Sequence, residues 1–116
     1  QDVGAVIRFE TPKAFTEVGC SFIQDHKSWI FAPSAIKVEG STDGINFYLI
    51  EQRTLPQAMS TDKNPLKNQV VLEVNSDKTL KYSYLKYTVS NPGKLPEWHL
   101  GAGNPTWLFI DELLYK

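Results

Sequence analysis

Apolar and polar side chains alternate in most hydrophobic segments of this chain, and a period of two is typical of β-strands with one face on a core. Helical periodicity is weak: the best candidate, residues 55–67, is interrupted by Pro56 and Pro65 and has no continuous apolar face. We therefore predict an all-β fold, an antiparallel β-sandwich. Its predicted strands lie at residues 5–9, 18–22, 36–38, 47–50, 70–74, 82–89 and 107–114.

The connections between these strands are of two kinds. Residues 40–44 form a tight turn, in which Asp43-Gly44 can supply the positive φ that a hairpin needs. Three connections are long, at residues 24–34, 52–68 and 91–105. Long loops in a compact domain often carry function, and we expect these three at one end of two packed sheets.

Composition limits the class of protein. A length of 116 residues fits one domain, residues 1–116, and a net charge of −1 with interspersed acids and bases argues against nucleic-acid binding. No apolar run approaches the ~20 residues that span a bilayer. The one cysteine, Cys20, alternates with Val18 and Phe22, which predicts a buried, unreactive thiol.

The chain lacks the residue patterns of an enzyme. His26 and His99 are not near a serine or cysteine motif, and no phosphate loop or zinc-type spacing occurs. Asp111 and Glu112 are adjacent on a predicted strand, so they point to opposite faces and cannot form the facing carboxylate pair of a glycosidase. We predict a binding protein rather than an enzyme.

The long connections do contain side chains suited to sugars, which present apolar faces and many hydroxyls. Two connections pair an indole with an imidazole, and the middle one is rich in amides and cations. The predicted sugar-binding residues are His26, Trp29, Arg53, Asn64, Asn68, Trp98 and His99. Two interpretations stay open for Trp29, which could instead cap the core, whereas Trp107 is predicted to be a core residue.

Three segments together resemble a known family. Residues 29–47 run from a strand that starts after Pro33 into a Ser-x-Asp-Gly-x-x-Phe turn, after which Phe47 is predicted to return to the core. Residues 81–89 are similar to a basic, tyrosine-containing family strand, and residues 101–112 read Gly-x-Gly-x-Pro-x-Trp-Leu-Phe-x-Asp-Glu. This pattern resembles the discoidin, or coagulation factor 5/8 type C, family, most closely the domains at the C-terminus of Bacteroides-type β-N-acetylhexosaminidases.

The resemblance implies a galactose-binding-domain-like jelly roll and a function. Such a module, of the carbohydrate-binding module 32 kind, would hold a secreted, periplasmic or cell-surface bacterial glycoside hydrolase on galactose- or GlcNAc-type glycans. Glycan-binding members use a histidine, an arginine, an asparagine and a late aromatic, for which His26, Arg53, Asn64 or Asn68, and Trp98 are the nearest equivalents.

The resemblance also implies a structural calcium ion bound by a late glutamate. Glu112 is the candidate, because it is predicted on the same strand face as Leu108 and Ile110, where an unpaired carboxylate would be costly. Calcium prefers several such hard oxygen ligands.

One departure from the family and one alternative function remain. Arg8-Phe9-Glu10 stands where the family has Asp-Leu-Gly, with little chain before it, so we predict a domain truncated at its N-terminus. A missing strand would expose a sheet edge and favour dimers. The alternative function is an accessory domain that packs against the parent catalytic domain without binding sugar. Lipid binding is disfavoured, since the loops lack apolar tips ringed by lysines.

Overall fold

The computed structural model describes residues 3–24, 30–31, 33–55, 66–74, 80–91, 93 and 109–116. Within these residues the chain forms seven strands and no helix, which confirms the predicted all-β class. The strands are β1 (Val3–Lys13), β2 (Glu17–Gln24), β3 (Ala35–Ser41), β4 (Tyr48–Thr54), β5 (Leu66–Glu73), β6 (Tyr82–Ser90) and β7 (Phe109–Tyr115). Each predicted segment overlaps one of them.

The strands form two antiparallel sheets consistent with a β-sandwich. The four-stranded sheet has the order β1-β6-β3-β4, and the three-stranded sheet has the order β5-β2-β7. β1 and β4 therefore lie at the two edges of the larger sheet. Among the seven described strands, only β3 and β4 are neighbours both in the chain and in a sheet. Dimerisation through a sheet edge stays a prediction.

The core lies between the sheets and is built from alternate residues of the strands. In β6, Leu85, Tyr87 and Val89 are fully buried, and the residues between them are partly exposed. β1, β3 and β5 show the same alternation. The period of two read from the sequence is therefore the period of burial.

β2 departs from this pattern, because residues on both of its faces are buried. Ser21, which lies between the core residues Cys20 and Phe22 and would face outward by alternation, is only 4% exposed. Gly19 is also buried, and a Cβ there would overlap the carbonyl of Val70 on β5. A glycine at this position lets the two strands approach closely.

Cys20 lies in the same strand with none of its surface exposed. Burial raises the pKa of its thiol to about 11, because the low-dielectric core disfavours the thiolate. The burial predicted from the alternation is thus confirmed, and the thiol stays protonated at neutral pH.

A hydrogen bond across the core joins the two sheets. The buried Tyr87 hydroxyl on β6 donates to the Leu114 carbonyl oxygen on β7 at 2.6 Å. Burial raises the pKa of Tyr87 well above its ordinary value, so the hydroxyl keeps the proton it donates. A bond of this kind contributes about 1 kcal/mol to the free energy of unfolding.

The hairpin between β3 and β4 has the predicted Asp-Gly turn, with Gly44 at a φ of 78°. The Asp43 carboxylate accepts hydrogen bonds from the backbone N–H groups of Ile45 and Asn46 at 2.8 and 2.9 Å. The Ser41 hydroxyl donates to the same carboxylate at 2.9 Å. The turn is thus held by its own side chains.

Phe47, which follows this turn, does not return to the core as the pattern predicts. It is half-buried outside the core cluster, and the Lys86 ammonium lies 5.4 Å from its ring centroid. The pairing of β3 with β4 explains the difference. Its register shifts between Val38 and Glu39, and Ile50 is the side chain that β4 buries.

Three aromatic rings close the sandwich near this hairpin. Phe9 of β1 and Phe15 of the β1–β2 connection both pack against Tyr115 of β7, with centroids 5.2 and 5.9 Å away. Edge-to-face packing of this kind is favourable for aromatic pairs. The Lys116 N–H also donates to the Glu17 carbonyl at 2.9 Å, which ties β7 to the start of β2. We call this the hairpin end.

Candidate functional site

The three long connections leave the strands at the opposite end of the sandwich. In the larger sheet, Ala35 pairs with both Thr54 and Ser90, so β3 begins beside the ends of β4 and β6. In the smaller sheet, Gln24 at the end of β2 pairs with Leu66 at the start of β5. This long-connection end agrees with the predicted clustering.

The backbone at this end is fixed by Ser34, which immediately precedes β3. Its N–H donates to the Ser90 carbonyl at 2.9 Å, and its own carbonyl accepts from the Leu55 N–H at 2.8 Å. The Ser34 hydroxyl also donates to the Ser90 carbonyl at 3.2 Å. One residue therefore holds the stems of all three connections of this sheet in register.

Most of the predicted sugar-binding residues lie outside the described residues: His26, Trp29, Asn64, Trp98 and His99. The predicted core residue Trp107 lies outside them too. Asn68 falls in β5, where it pairs with Phe22, and its side chain is not among those described. The interpretation of 52–68 as one loop is wrong at both ends, because β4 continues to Thr54 and β5 begins at Leu66.

Arg53 is therefore a strand residue rather than a loop residue. It is the penultimate residue of β4, it pairs with Ile36 of β3, and its side chain is exposed. A position on an edge strand gives its guanidinium a firmer base than a loop would.

Arg53 lines a depression at the long-connection end of the larger sheet. Most of the lining lies on the sheet's outer face, the side away from the core, and we call it the outer-face depression. The lining residues are Ala35, Ile36, Lys37, Gln52, Arg53, Thr54, Thr88 and Ser90. Its volume of about 520 Å³ falls within the range of small-ligand sites.

The sheet register explains this shape. The last rung across three strands is Thr54–Ala35–Ser90, whose side chains are small. The next rung places Lys37 beside Gln52 on one neighbour and Thr88 on the other. Longer side chains thus border a floor of small ones.

The depression is polar and positively charged. Among the described residues, its ionisable lining residues are Arg53 and Lys37, and none is a carboxylate. Lys37 stands on the outer face, whereas Arg53 pairs with Ile36 and starts from the opposite face of this edge strand. The Lys37 ammonium lies 3.8 Å from a Glu39 carboxylate oxygen, next along the same face of β3. No ion pair to Arg53 occurs within the described part of the chain. Its guanidinium can therefore bind a planar acceptor with two parallel hydrogen bonds.

The structure corrects the expected orientation of Glu112. The register between β2 and β7 shifts at Ser21, so Phe22 pairs with Ile110 but Ser21 pairs with Glu112. This irregularity changes the alternation, and Leu113 rather than Glu112 joins Ile110 against the core. Glu112 is exposed, so the argument that its burial requires a metal does not apply.

Calcium binding stays a prediction from the resemblance. The described residues contain no group of three or more histidine, cysteine or acidic side chains placed to hold a metal. Glu112 pairs with Ser21 of β2, which in turn pairs with Gln69 of β5, so neither of these cross-strand neighbours is a carboxylate.

Sequence reasoning missed most of the lining of the depression. Lys37 and Thr88 were visible as outward positions of their strands, and Gln52 and Thr54 extend β4 beyond its predicted end. The missing information was the strand order, because only the pairing of β6 with β3 brings Ser90 and Thr88 beside residues 35–37. The polar residues at outward positions of β3, such as Lys37, were the signal in the sequence that pointed to this face.

Comparisons with known proteins add no family name. No protein-family model matches the chain, and no curated protein sequence matches it either. Among the described residues, no helix has the length and apolar character required to cross a membrane.

Proposed function

We propose that this chain is a non-catalytic carbohydrate-binding module. The observation that carries the proposal is the outer-face depression beside the long connections, with Gln52 and hydroxyl side chains on that face and Arg53 on the edge strand that borders it. A guanidinium, an amide and several hydroxyls are the groups that fix the orientation of a sugar through paired hydrogen bonds. The strands hold these groups in place before a ligand arrives, which lowers the entropic cost of binding.

The resemblance to discoidin-like domains supports the same proposal and adds a biological setting. In that setting the module belongs to a secreted bacterial glycoside hydrolase similar to β-N-acetylhexosaminidases. It keeps the enzyme on glycans with galactose- or GlcNAc-type ends, and the parent's catalytic domain performs the hydrolysis. His26 and Trp98, in two of the long connections, would contribute an imidazole and an apolar platform for the sugar ring.

Calorimetric titration tests this proposal. We expect wild-type protein to bind a galactose- or GlcNAc-terminated oligosaccharide, and we expect Arg53→Gln to weaken that binding. Arg8→Gln is the matched control, because Arg8 is also exposed on an edge strand of the larger sheet but pairs with Tyr84, nearer the hairpin end. If the wild-type protein binds no sugar, the proposal is rejected. If Arg53→Gln and Arg8→Gln weaken binding equally, the sugar does not bind at the outer-face depression.

A second candidate is an accessory domain that packs against its parent's catalytic domain without binding sugar. The observation in its favour is an apolar surface on the β3–β4 hairpin. Ile45 is 81% exposed, Tyr48 67% and Leu49 50%, all at or just after the turn. Exposed apolar patches often mark contacts between proteins. This candidate predicts that Tyr48→Ser with Leu49→Ser weakens association with the parent catalytic domain, whereas Arg53→Gln does not.

A further inference from the structure

We infer that this protein binds several linked sugar units of a glycan, with one unit in the outer-face depression and the next units along the outer face of β4. This inference rests on the proposed function and names the length of its ligand. Its basis is that one face of an edge strand carries polar side chains at the depression and apolar side chains toward the hairpin end.

The pairing of β3 with β4 shows which side chains of β4 lie on the outer face. Residues directly opposite each other in an antiparallel pair share a face, so the partners of the outward β3 residues also face outward. These partners are Thr54, Gln52 and Leu49, which pair with Ala35, Lys37 and Glu39. The outer face of β4 therefore changes from polar at Thr54 and Gln52 to apolar at Leu49, whose side chain is 50% exposed.

Phe47 extends this apolar part of the face toward the hairpin end. It precedes Leu49 by two residues, and its ring centroid lies 5.4 Å from the ammonium of Lys86. Lys86 pairs with Glu39, so it too stands on the outer face. An aromatic ring beside an aliphatic side chain suits the apolar C–H face of a sugar unit. The depression itself offers mainly hydroxyls and an amide.

The two parts of the face are too far apart for one sugar unit. Thr54 pairs with Ala35, and Tyr48, the residue next to Phe47, pairs with Gly40. Five residues of β3 thus separate the depression from the apolar part, which is roughly 16 Å at about 3.3 Å per residue. A single sugar ring cannot contact both ends of this distance, whereas a chain of several units can.

Lys37 and Glu39 supply polar groups between the two parts, on the neighbouring strand. The Lys37 ammonium lies 3.8 Å from a Glu39 carboxylate oxygen. An ammonium only donates hydrogen bonds and a carboxylate only accepts them. A sugar unit between the depression and Phe47 therefore has a donor and an acceptor for its hydroxyls beside it.

This arrangement predicts that two kinds of substitution differ in their dependence on ligand length. Phe47→Ala and Leu49→Ala are each expected to weaken binding of an oligosaccharide by about three- to tenfold, since an apolar contact with a sugar unit is lost. Both are expected to leave binding of a monosaccharide unchanged. Gln52→Ala, in the depression, is expected to weaken binding of both ligands by the same factor.

Val6→Ala is the matched control for Leu49→Ala. Val6 is 56% exposed and pairs with Lys86, so it lies on the same outer face but on β1, the opposite edge strand. We expect Val6→Ala to change no affinity. Melting temperatures show whether Phe47→Ala keeps the fold, and Leu49→Ala decides the outcome if it does not, because that side chain is largely exposed.

The experiment is a calorimetric titration of the full chain with ligands of increasing length. The probes are GlcNAc and galactose, each with its β-1,4-linked dimer, tetramer and hexamer. For the sugar that binds, we expect the affinity to rise from monomer to tetramer and to change little from tetramer to hexamer, since the contact surface ends at Phe47.

The outcomes separate this inference from the proposed function. Equal affinities for the monomer and the longer oligomers would overturn the inference and leave the carbohydrate-binding module standing. Leu49→Ala protein that binds the tetramer as tightly as wild type would overturn it too, as would an equal loss in Val6→Ala. If none of the probes binds, the proposed function is rejected together with this inference.

Discussion

The two ends of the sandwich are built on different principles. At the hairpin end, Phe9, Phe15 and Tyr115 fill the space between the sheets with aromatic rings. The adjacent turn satisfies its backbone groups with the side chains of Ser41 and Asp43. At the long-connection end, backbone hydrogen bonds from Ser34 hold the stems, and the outer face beside them carries small and polar side chains.

This difference separates stability from recognition. Aromatic burial at the hairpin end contributes to the free energy of unfolding, because Phe9 and Phe15 are removed from water there. The outer-face depression contributes few apolar contacts but presents Lys37, Gln52 and several hydroxyls, with Arg53 on the edge strand beside it. Substitutions at one end are therefore expected to change stability, and substitutions at the other are expected to change binding.

Removal of an aromatic ring is the strongest test of this comparison. Phe15 is 4% exposed and contacts both Phe9 and Tyr115, so Phe15→Ala leaves a cavity at the hairpin end. We expect a loss of about 3–5 kcal/mol in the free energy of unfolding, measured by denaturant titration. Arg53→Gln is expected to change it by less than about 0.5 kcal/mol. Comparable losses for the two variants would contradict the division.

Substitution of two glycines, one in the β3–β4 turn and one outside it, is expected to have an intermediate effect on the free energy of unfolding. Gly44 and Gly93 both have positive φ, at 78° and 102°. A Cβ on Gly44 would also lie 2.9 Å from the Tyr84 ring, whereas one on Gly93 would meet no atom within 4 Å. We expect Gly44→Ala to cost about 2–3 kcal/mol and Gly93→Ala about 1 kcal/mol. Thermal unfolding measures both changes. Gly44→Asn is the control, because asparagine tolerates the left-handed backbone conformation better than alanine does.

The smallest expected effect is a pH dependence at Asp43. Hydrogen bonds from the Asn46 and Ile45 backbone N–H groups, and from the Asn46 and Ser41 side chains, hold the pKa of this carboxyl well below its ordinary value. The unfolded chain therefore takes up the proton first as the pH falls. The stabilising contribution is complete above the unfolded pKa of about 3.9 and is lost as the pH falls below it.

Melting temperatures of wild-type protein and Asp43→Asn, measured from pH 7 to pH 2.5, check this dependence. We expect the wild type to be the more stable at pH 7 and the gap to narrow in acid. A gap that stays constant across this range would show that the charge of Asp43 does not matter for the turn.

The sequence predicted the sandwich because burial in β-strands has a period of two that can be read directly. Leu85, Tyr87 and Val89 alternate along the strand predicted at residues 82–89, and they are fully buried. The Asp43-Gly44 turn was equally legible, since few residues adopt its backbone conformation. Local chemistry decides both features.

Features that depend on pairing between distant strands were not legible. Glu112 was assigned to the wrong face because a register irregularity opposite Ser21 and Phe22 shifts the alternation. Phe47 was assigned to the core although Ile50 takes that role. The outer-face depression needs the order β4-β3-β6, and the alternation within each strand carries no information on order.

The strand order also has a consequence for how fast the protein folds. Among the described strands, only the β3–β4 pairing joins consecutive segments, whereas the β2–β7 pairing must bring residue 18 beside residue 115. Contacts between distant residues require closure of large loops before they contribute any stability. Chains of this topology fold in roughly milliseconds to seconds rather than microseconds. Because β1 must likewise bring residue 3 beside residue 89, we expect both sheets to complete their pairing late and to expose apolar strand faces to other chains until then.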